Sequence, residues 1–297
     1  MIEEKPINHP MLALILPILL YEYGDMPRDY IHRVEQFRAH RQIEIAGEDG
    51  WITLAGLFWL TEGDNSVGSD PACEVALPSS APKRAGTIKV ENGAARFIPS
   101  AGVAAKEFLF KTDDESSAVR LGSVKFFVIE RDGKLAVRVK DSELPARKQF
   151  TGLKWYPIDP AWRIAAKFTP WPDQRFLTFT TVLGTKEKME SPGYVTFSKD
   201  GREFKLEPVI DEGKLFFVIR DQTSGKTTYG AARFIYAGKP KDGWSKPGTV
   251  WIDFNQAINP PCMFTPYATC PLPPPKNRLA IEVTAGEKVY GKDHAAH

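Results

Sequence analysis

The sequence predicts an all-β protein, built as two packed β-sandwich or barrel-like halves behind a short N-terminal helix. Three observations lead there. Beyond Gly50, short runs rich in Val, Ile, Phe, Tyr and Thr alternate with Gly, Asp and Pro, and little helical periodicity is visible. The dipeptides Asn92-Gly93, Asp132-Gly133 and Asp200-Gly201 each sit between such runs, where tight hairpins need left-handed backbone at both turn positions. Proline marks two irregular stretches, one around residues 145–160 and one within 253–279, where its missing donor and fixed φ exclude a central strand.

Residues 1–28 read as a leader or disordered tail. Met11–Leu20 (MLALILPILL) has the length of a signal-peptide apolar segment and is too short to span a bilayer. Glu3 and Glu4 precede it and no A-x-A site follows, so a terminal segment packed on the body is the alternative. Export to the periplasm or beyond, or a membrane tether through the N-terminus, is the expectation, and a cytoplasmic location stays open.

Residues 29–48 are predicted to form a helix. Tyr30, Ile31, Val34, Phe37 and Ile45 supply an apolar stripe, and Asp29 a cap. Arg28, Arg33, Arg38 and Arg41 fall on the other faces, as does a solvated set with Glu35 and Glu44. Residues 49–140 follow as a first β unit opening on the apolar run Trp51–Leu60, with Glu62 and Asp64 at its rim. Residues 141–165, with Pro145, Pro157 and Pro160, read as the linker. Its Trp155, Tyr156 and Trp162 lie among Arg147, Lys154 and Arg163, a pattern suited either to a stacking wall or to filling space between β layers. Residues 166–291 form the second β unit, with strands expected at 176–182, 193–197, 203–206, 215–220, 227–236, 249–254 and 278–283.

Charge and histidine placement narrow the chemistry. With 39 basic and 37 acidic side chains the formal charge is +2, which gives no basic excess for nucleic acid. The histidines are His9, His32, His40, His294 and His297, so Trp51–Tyr290 contains none. A Ser–His or Cys–His pair within that body is excluded, as is a histidine-rich metal centre. No cofactor fingerprint is present; the SGKTT run at 224–228 lacks the spacing of a phosphate loop.

The stretch DFNQAINPPCMFTPYATCPLPPPKNRL, Asp253–Leu279, is where a small-molecule pocket is expected. Phe254, Ile258, Phe264, Tyr267 and Leu272 anchor it as an ordered loop. Asp253 is the acid–base candidate and Cys262 the soft nucleophile. Asn255, Asn259 and Asn277 would orient a ligand, and Arg233 or Arg278 would hold an anionic group. Alternation along 227–236 places Thr227, Tyr229, Ala231 and Arg233 on one face, with Asp253 as the carboxylate expected opposite Arg233. Cys262 and Cys270 are close enough in sequence for a disulfide worth roughly 2–3 kcal/mol, or for a pair of buried thiols. A hydrolase- or isomerase-type enzyme and a non-catalytic extracytoplasmic binding protein both fit these residues.

Two resemblances add to this reading. NSVGSDPACEVALP, AGTIKVENGAARFIPSAG and VRLGSVKFFVIERDGKLAVRVKD are similar in layout to a forkhead-associated domain. Ser69, Pro82 and Ala85 stand where that family holds phosphothreonine, so the resemblance implies strand order and no phosphopeptide binding. Over about Asp49–Tyr290 the chain also resembles the bacterial and archaeal family catalogued as domain of unknown function 1684. The blocks that do so are GWITLAGLFWLTEGDNSVGSDP, RDQTSGKTTYGAARF, the Asp253–Leu279 loop and TAGEKVY. Gln256 and Ile258 are small departures. The resemblance implies no activity or cofactor; it places the loop, Arg233 and Glu287 in recurring blocks.

Overall fold

A computed structural model describes residues 28–291. The apolar run at 11–20, and with it the leader reading, lies outside the described residues. Helix α1 (Arg28–Ala46) buries Tyr30, Val34, Arg41 and Ile45. That spacing is one helical face, but its third member is an arginine, and Ile31 is exposed. Arg41, read from sequence as lying off the apolar stripe, is on it because it meets buried acceptors, described below. Among the described residues no helix is long and apolar enough to cross a membrane.

In the first half, strands run in chain order as β1 (Leu54–Trp59), β2 (Gly63–Gly68), β3 (Val75–Ala76), β4 (Gly86–Glu91), β5 (Ala94–Pro99), β6 (Phe108–Leu109), β7 (Ala118–Leu121), β8 (Val124–Arg131) and β9 (Lys134–Asp141). They form two sheets, β1-β9-β8-β7 and β3-β2-β4-β5-β6. Val67, Ile88 and Phe97 from one sheet and Phe126, Val128, Val137 and Val139 from the other share one core, which makes this half a sandwich. A short helix, α2 (Pro145–Lys148), follows.

The second half contains β10 (Arg163–Thr180), β11 (Lys186–Lys199), β12 (Arg202–Leu206), β13 (Val209–Asp211), β14 (Lys214–Ile219), β15 (Arg233–Ala237) and β16 (Gly248–Asp253). Their sheets are β12-β11-β10-β16 and β13-β14-β15. Phe168, Val195, Phe217, Ile235, Ile252 and Phe254 fill the space between them. The opposite face of the three-stranded sheet carries Phe216, Val218 and Phe234, which pack with Phe179, Ala268 and Cys270. The architecture is the all-β, sandwich-like one expected.

The three expected hairpins form, with φ of 52° and 76° at Asn92-Gly93, 54° and 70° at Asp132-Gly133, and 51° and 72° at Asp200-Gly201. A fourth turns at Glu212-Gly213, φ 46° and 73°, where glutamate gave no turn signal. The strand expected at 227–236 begins only at Arg233. Before it the chain folds into a compact turn, in which Asp221 accepts from the Thr223 amide (2.8 Å) and hydroxyl (2.6 Å), and Thr223 bonds Thr228 (2.8 Å). Side-chain bonds of this kind offer the backbone an alternative to the ladder.

The proline-rich loop is ordered by its neighbours. Ile258 and Phe234 exchange both backbone bonds, at 2.8 and 2.9 Å. Val182 donates to Cys270 (2.9 Å) and Leu272 to Thr180 (2.9 Å). Arg220 donates to Asn277 (3.0 Å) and Leu279 to Arg220 (2.7 Å). Proline removes donors from this segment, and strand edges satisfy the groups that remain.

Candidate functional site

The carboxamides of the loop hold the fold together. Asn277, fully buried, donates to the carbonyls of Glu207 (3.0 Å) and Val218 (3.1 Å) and accepts from the Glu207 amide (2.8 Å). Asn255 donates to Asp159 O (2.7 Å) and the Tyr30 hydroxyl (3.0 Å) and accepts from the Asp159 amide (3.0 Å). Asp253 caps the turn after β16 through the Asn255 amide (3.0 Å) and takes the Tyr30 hydroxyl at 2.9 Å to both oxygens. These three residues anchor α1 and the loop ends. Arg278 is exposed and lines neither of the two cavities described below.

Arg233 is completely buried, and its partner is Asp221 at 2.6 Å rather than Asp253. It also donates to Ala285 O (2.5 Å) and Val283 O (3.0 Å). The pairing differs from expectation because the turn after β14 folds back and brings Asp221 under β15, while Asp253 faces α1.

Glu287 is equally buried. Gly286, at φ +82°, brings it close to the loop; a Cβ there would stand 2.6 Å from Ala257 O. The Glu287 amide then donates to Ala257 O (2.8 Å). Its carboxyl accepts from Asn259 Nδ2 (2.8 Å) and the Asn259 amide (3.3 Å), with Arg41 Nε 3.6 Å away. Burial, more than any neighbour, pushes its pKa up to about 7. Arg41 in turn donates to Asn259 O (2.7 Å) and Glu44 (3.0 Å).

Tyr229 and Cys262 line a cavity of about 530 Å³ with Leu183, Met263, Phe264 and Leu272. All three cysteines are free thiols, so the Cys262–Cys270 bridge is not formed. The Cys262 amide donates to Cys270 Sγ at 3.2 Å, and the hydrogen bond between the two thiols holds Cys262 below the ordinary thiol range. Burial pushes Cys270 above it.

The larger hollow, about 910 Å³, lies where α1, the outer face of the β8–β9 hairpin, the β11 and β13–β14 strands and the loop meet. The loop does contribute its floor, through Gln256, Ile258, Pro261 and Ala268–Pro271. Asp253 and Cys262 do not line it. Its polar wall comes from residues that alternation in β8 and β9 turns away from the sandwich core: Arg131, Arg138 and Lys140. Lys140 bonds Glu115 (2.6 Å) and Asp49 O (2.5 Å), and Arg131 pairs with Asp113 (2.7 Å).

Arg138 has no carboxylate within 4 Å among the described residues, although only 7% of its surface is exposed. It donates to Thr269 Oγ1 at 3.0 Å and lies 5.4 Å from the Trp51 ring centre, and its buried Nε has no partner. Arg131 Nε reaches the same hydroxyl at 3.3 Å. Burial first, and then the charge of Arg131, push the Arg138 pKa down to about 10. Across the hollow, Glu187 is held above the ordinary carboxylate range, chiefly by burial; the charge of Arg131 opposes this and Asp211 adds to it. No metal cluster of three His, Cys, Asp or Glu residues occurs among the described residues.

Sequence reading missed Arg138 and Glu187 because each is an ordinary alternating strand position. A signal existed in the Asp132-Gly133 turn. Its register sets Lys125 opposite Lys140 and Phe127 opposite Arg138, so Lys125, Arg131, Arg138 and Lys140 share one hairpin face.

Residues 148–288 match the family model described as "Protein of unknown function (DUF1684)", which supports the resemblance seen in the later sequence blocks. The matched segment begins after 65–139, and the forkhead-associated-like layout read there is not confirmed. The chain is also similar to the uncharacterized protein from gene locus rrnAC0354 of Haloarcula marismortui, solved by NMR. Identity is 29%, covering 48% of this chain and 78% of that one, with a TM-score of 0.41. No curated protein matches.

Proposed function

We propose that this protein binds a small anionic molecule in the hollow between its two β halves, with Arg138 as the anion hook. The observation that supports this reading is the unpaired guanidinium. A buried charge without a counter-charge costs several kcal/mol, and two arginines converging on one threonine hydroxyl add like-charge repulsion. A carboxylate or phosphate at the accessible edge of the Arg138 guanidinium would supply the missing counter-charge and offset both cations. The hollow is within the usual size range for small-molecule sites. Trp51, Phe216 and Ile258 supply apolar surface around it.

Binding without catalysis is favoured over a hydrolase- or isomerase-type activity. The acid–base candidate Asp253 is occupied by Tyr30, Asn255 and Gln256, and Cys262 opens into the other cavity. The test is calorimetric titration of the full chain with hexanoate and with inorganic phosphate at constant ionic strength. Millimolar or tighter binding is expected for at least one, weakened at least tenfold in Arg138→Gln. Equal binding to wild type and variant, or no binding to either, overturns the proposal.

A further inference from the structure

The two walls of the hollow carry opposite charge, and what remains after internal pairs are removed is asymmetric. On the α1 and β8–β9 side, Arg41 is matched by Glu44, Lys140 by Glu115, and Arg131 by Asp113. Arg138 is left. On the opposite side β11 and the β13–β14 hairpin present Glu187, Asp211 and Glu212. Asp211 accepts from the Tyr236 hydroxyl at 2.9 Å. Neither Glu187 nor Glu212 has a cation within 4 Å among the described residues; the wall's own Lys214 stands opposite Asp211 in the hairpin register and is exposed.

Charges of opposite sign that face one another in a protein normally close into ion pairs, because attraction grows as water is excluded. Here the two sets are held apart by separate sheets, with the hollow between them. A monoanion would answer Arg138 but would bring negative charge toward Glu187, and like-charge juxtaposition costs affinity. A cation would reverse the fault. A molecule with an anionic group at one end and a protonated amine at the other meets both walls with opposite charge.

From this we infer that the natural ligand is a zwitterion, an amino acid or a short amino-carboxylate or amino-phosphate compound, whose acid group lies at Arg138 and whose ammonium lies at Glu187. The inference rests on the anion-binding reading above. Glu187 is a specificity residue in it: unpartnered, half-buried, on a strand, and free to accept from an ammonium.

The experiment separates the two readings. The full chain is titrated calorimetrically, at constant ionic strength and pH 7, with ω-amino acids of two to six carbons and with the matching simple carboxylates and alkylamines. At one chain length the amino acid is expected to bind at least tenfold tighter than its carboxylate. Glu187→Gln should remove that advantage and leave carboxylate affinity within about twofold; Asp211→Asn, as a second variant, should reduce it less. Arg138→Gln should weaken both. If carboxylates bind through Arg138 and no amino acid exceeds its carboxylate, the zwitterion inference is overturned while anion binding stands. If the advantage survives in Glu187→Gln, the assignment of the ammonium to Glu187 is overturned. If nothing binds in an Arg138-dependent way, both readings are overturned together. Thermal unfolding of each variant without ligand confirms that the comparison is made between folded proteins.

Discussion

Replacing Glu287 by glutamine should change how stability depends on pH. The carboxyl is fully buried between α1 and the C-terminal segment and titrates at about 7 when folded, against 4.5 for the free side chain. Between those values the unfolded chain is ionised while the folded chain still holds the proton. The folded state therefore binds more protons, and stability falls as pH rises. Below 4.5 this contribution is fully present, and it is lost as pH climbs through 7. With these two values, linkage gives a loss of about 2.5 kcal/mol between pH 5 and pH 8. Glutamine keeps the shape and cannot titrate, so the variant should lack that decline. The measurement is urea unfolding of both proteins at half-unit steps from pH 5 to 8, and the informative quantity is wild type minus variant, in which all other titrating groups cancel. A difference that is flat, or that rises with pH, would show that Glu287 is ionised throughout and that Arg41 at 3.6 Å outweighs its burial.

The other predictions address neighbouring claims. Arg233→Ala leaves Asp221 as an uncompensated buried carboxylate and should cost about 3–5 kcal/mol in denaturant unfolding; a loss under 1 kcal/mol would refute the clamp. Tyr30→Phe removes the hydroxyl shared by Asp253 and Asn255, and should cost about 1–3 kcal/mol and speed proteolysis within α1 before the body unfolds. Arg138→Met should be at least as stable as wild type without ligand, because the unpaired charge opposes folding; marked destabilisation would mean that the Thr269 bond outweighs it. The native protein should titrate three free thiols, and iodoacetamide should modify Cys262 about tenfold faster than Cys270; equal rates would refute the distinction between them.

Much of the fold was legible because its signals are local. Asn92-Gly93 and Asp132-Gly133 need nothing beyond their own φ preferences to turn the chain, and the strands they join follow in register. Glu212-Gly213 was missed since only one of its two turn residues advertises the turn. The strand read at 227–236 failed for a related reason: its alternation is real, but the Asp221–Thr228 side-chain bonds take the backbone first. Arg41 fell on the buried stripe against its charge because its acceptors, Asn259 O and Glu287, lie more than two hundred residues away in sequence. No window of sequence contains both ends of that contact.

The proline loop was recognisable as a fixed element, and its polar side chains were the natural suspects for chemistry. The physics of the loop itself diverts them. Each proline removes a donor, strand edges take up loop backbone groups that remain, and the carboxamides tie the ribbon to the neighbouring segments. Asn255 and Asn277 are used down to their last hydrogens on partners outside the loop, Asn255 on the Asp159 backbone and the Tyr30 hydroxyl, Asn277 on the Glu207 and Val218 backbone. A strand makes no such demand on its side chains, because its ladder satisfies the backbone already. On the proposed reading the groups that meet a ligand, Arg138 and Glu187, are on β9 and β11, and the loop closes the floor of the hollow and presents Thr269 to two arginines. Preorganisation is better on such elements than on a loop, which gives a physical reason for the division of labour: carboxamides hold the ribbon, and the rigid sheets hold the charge.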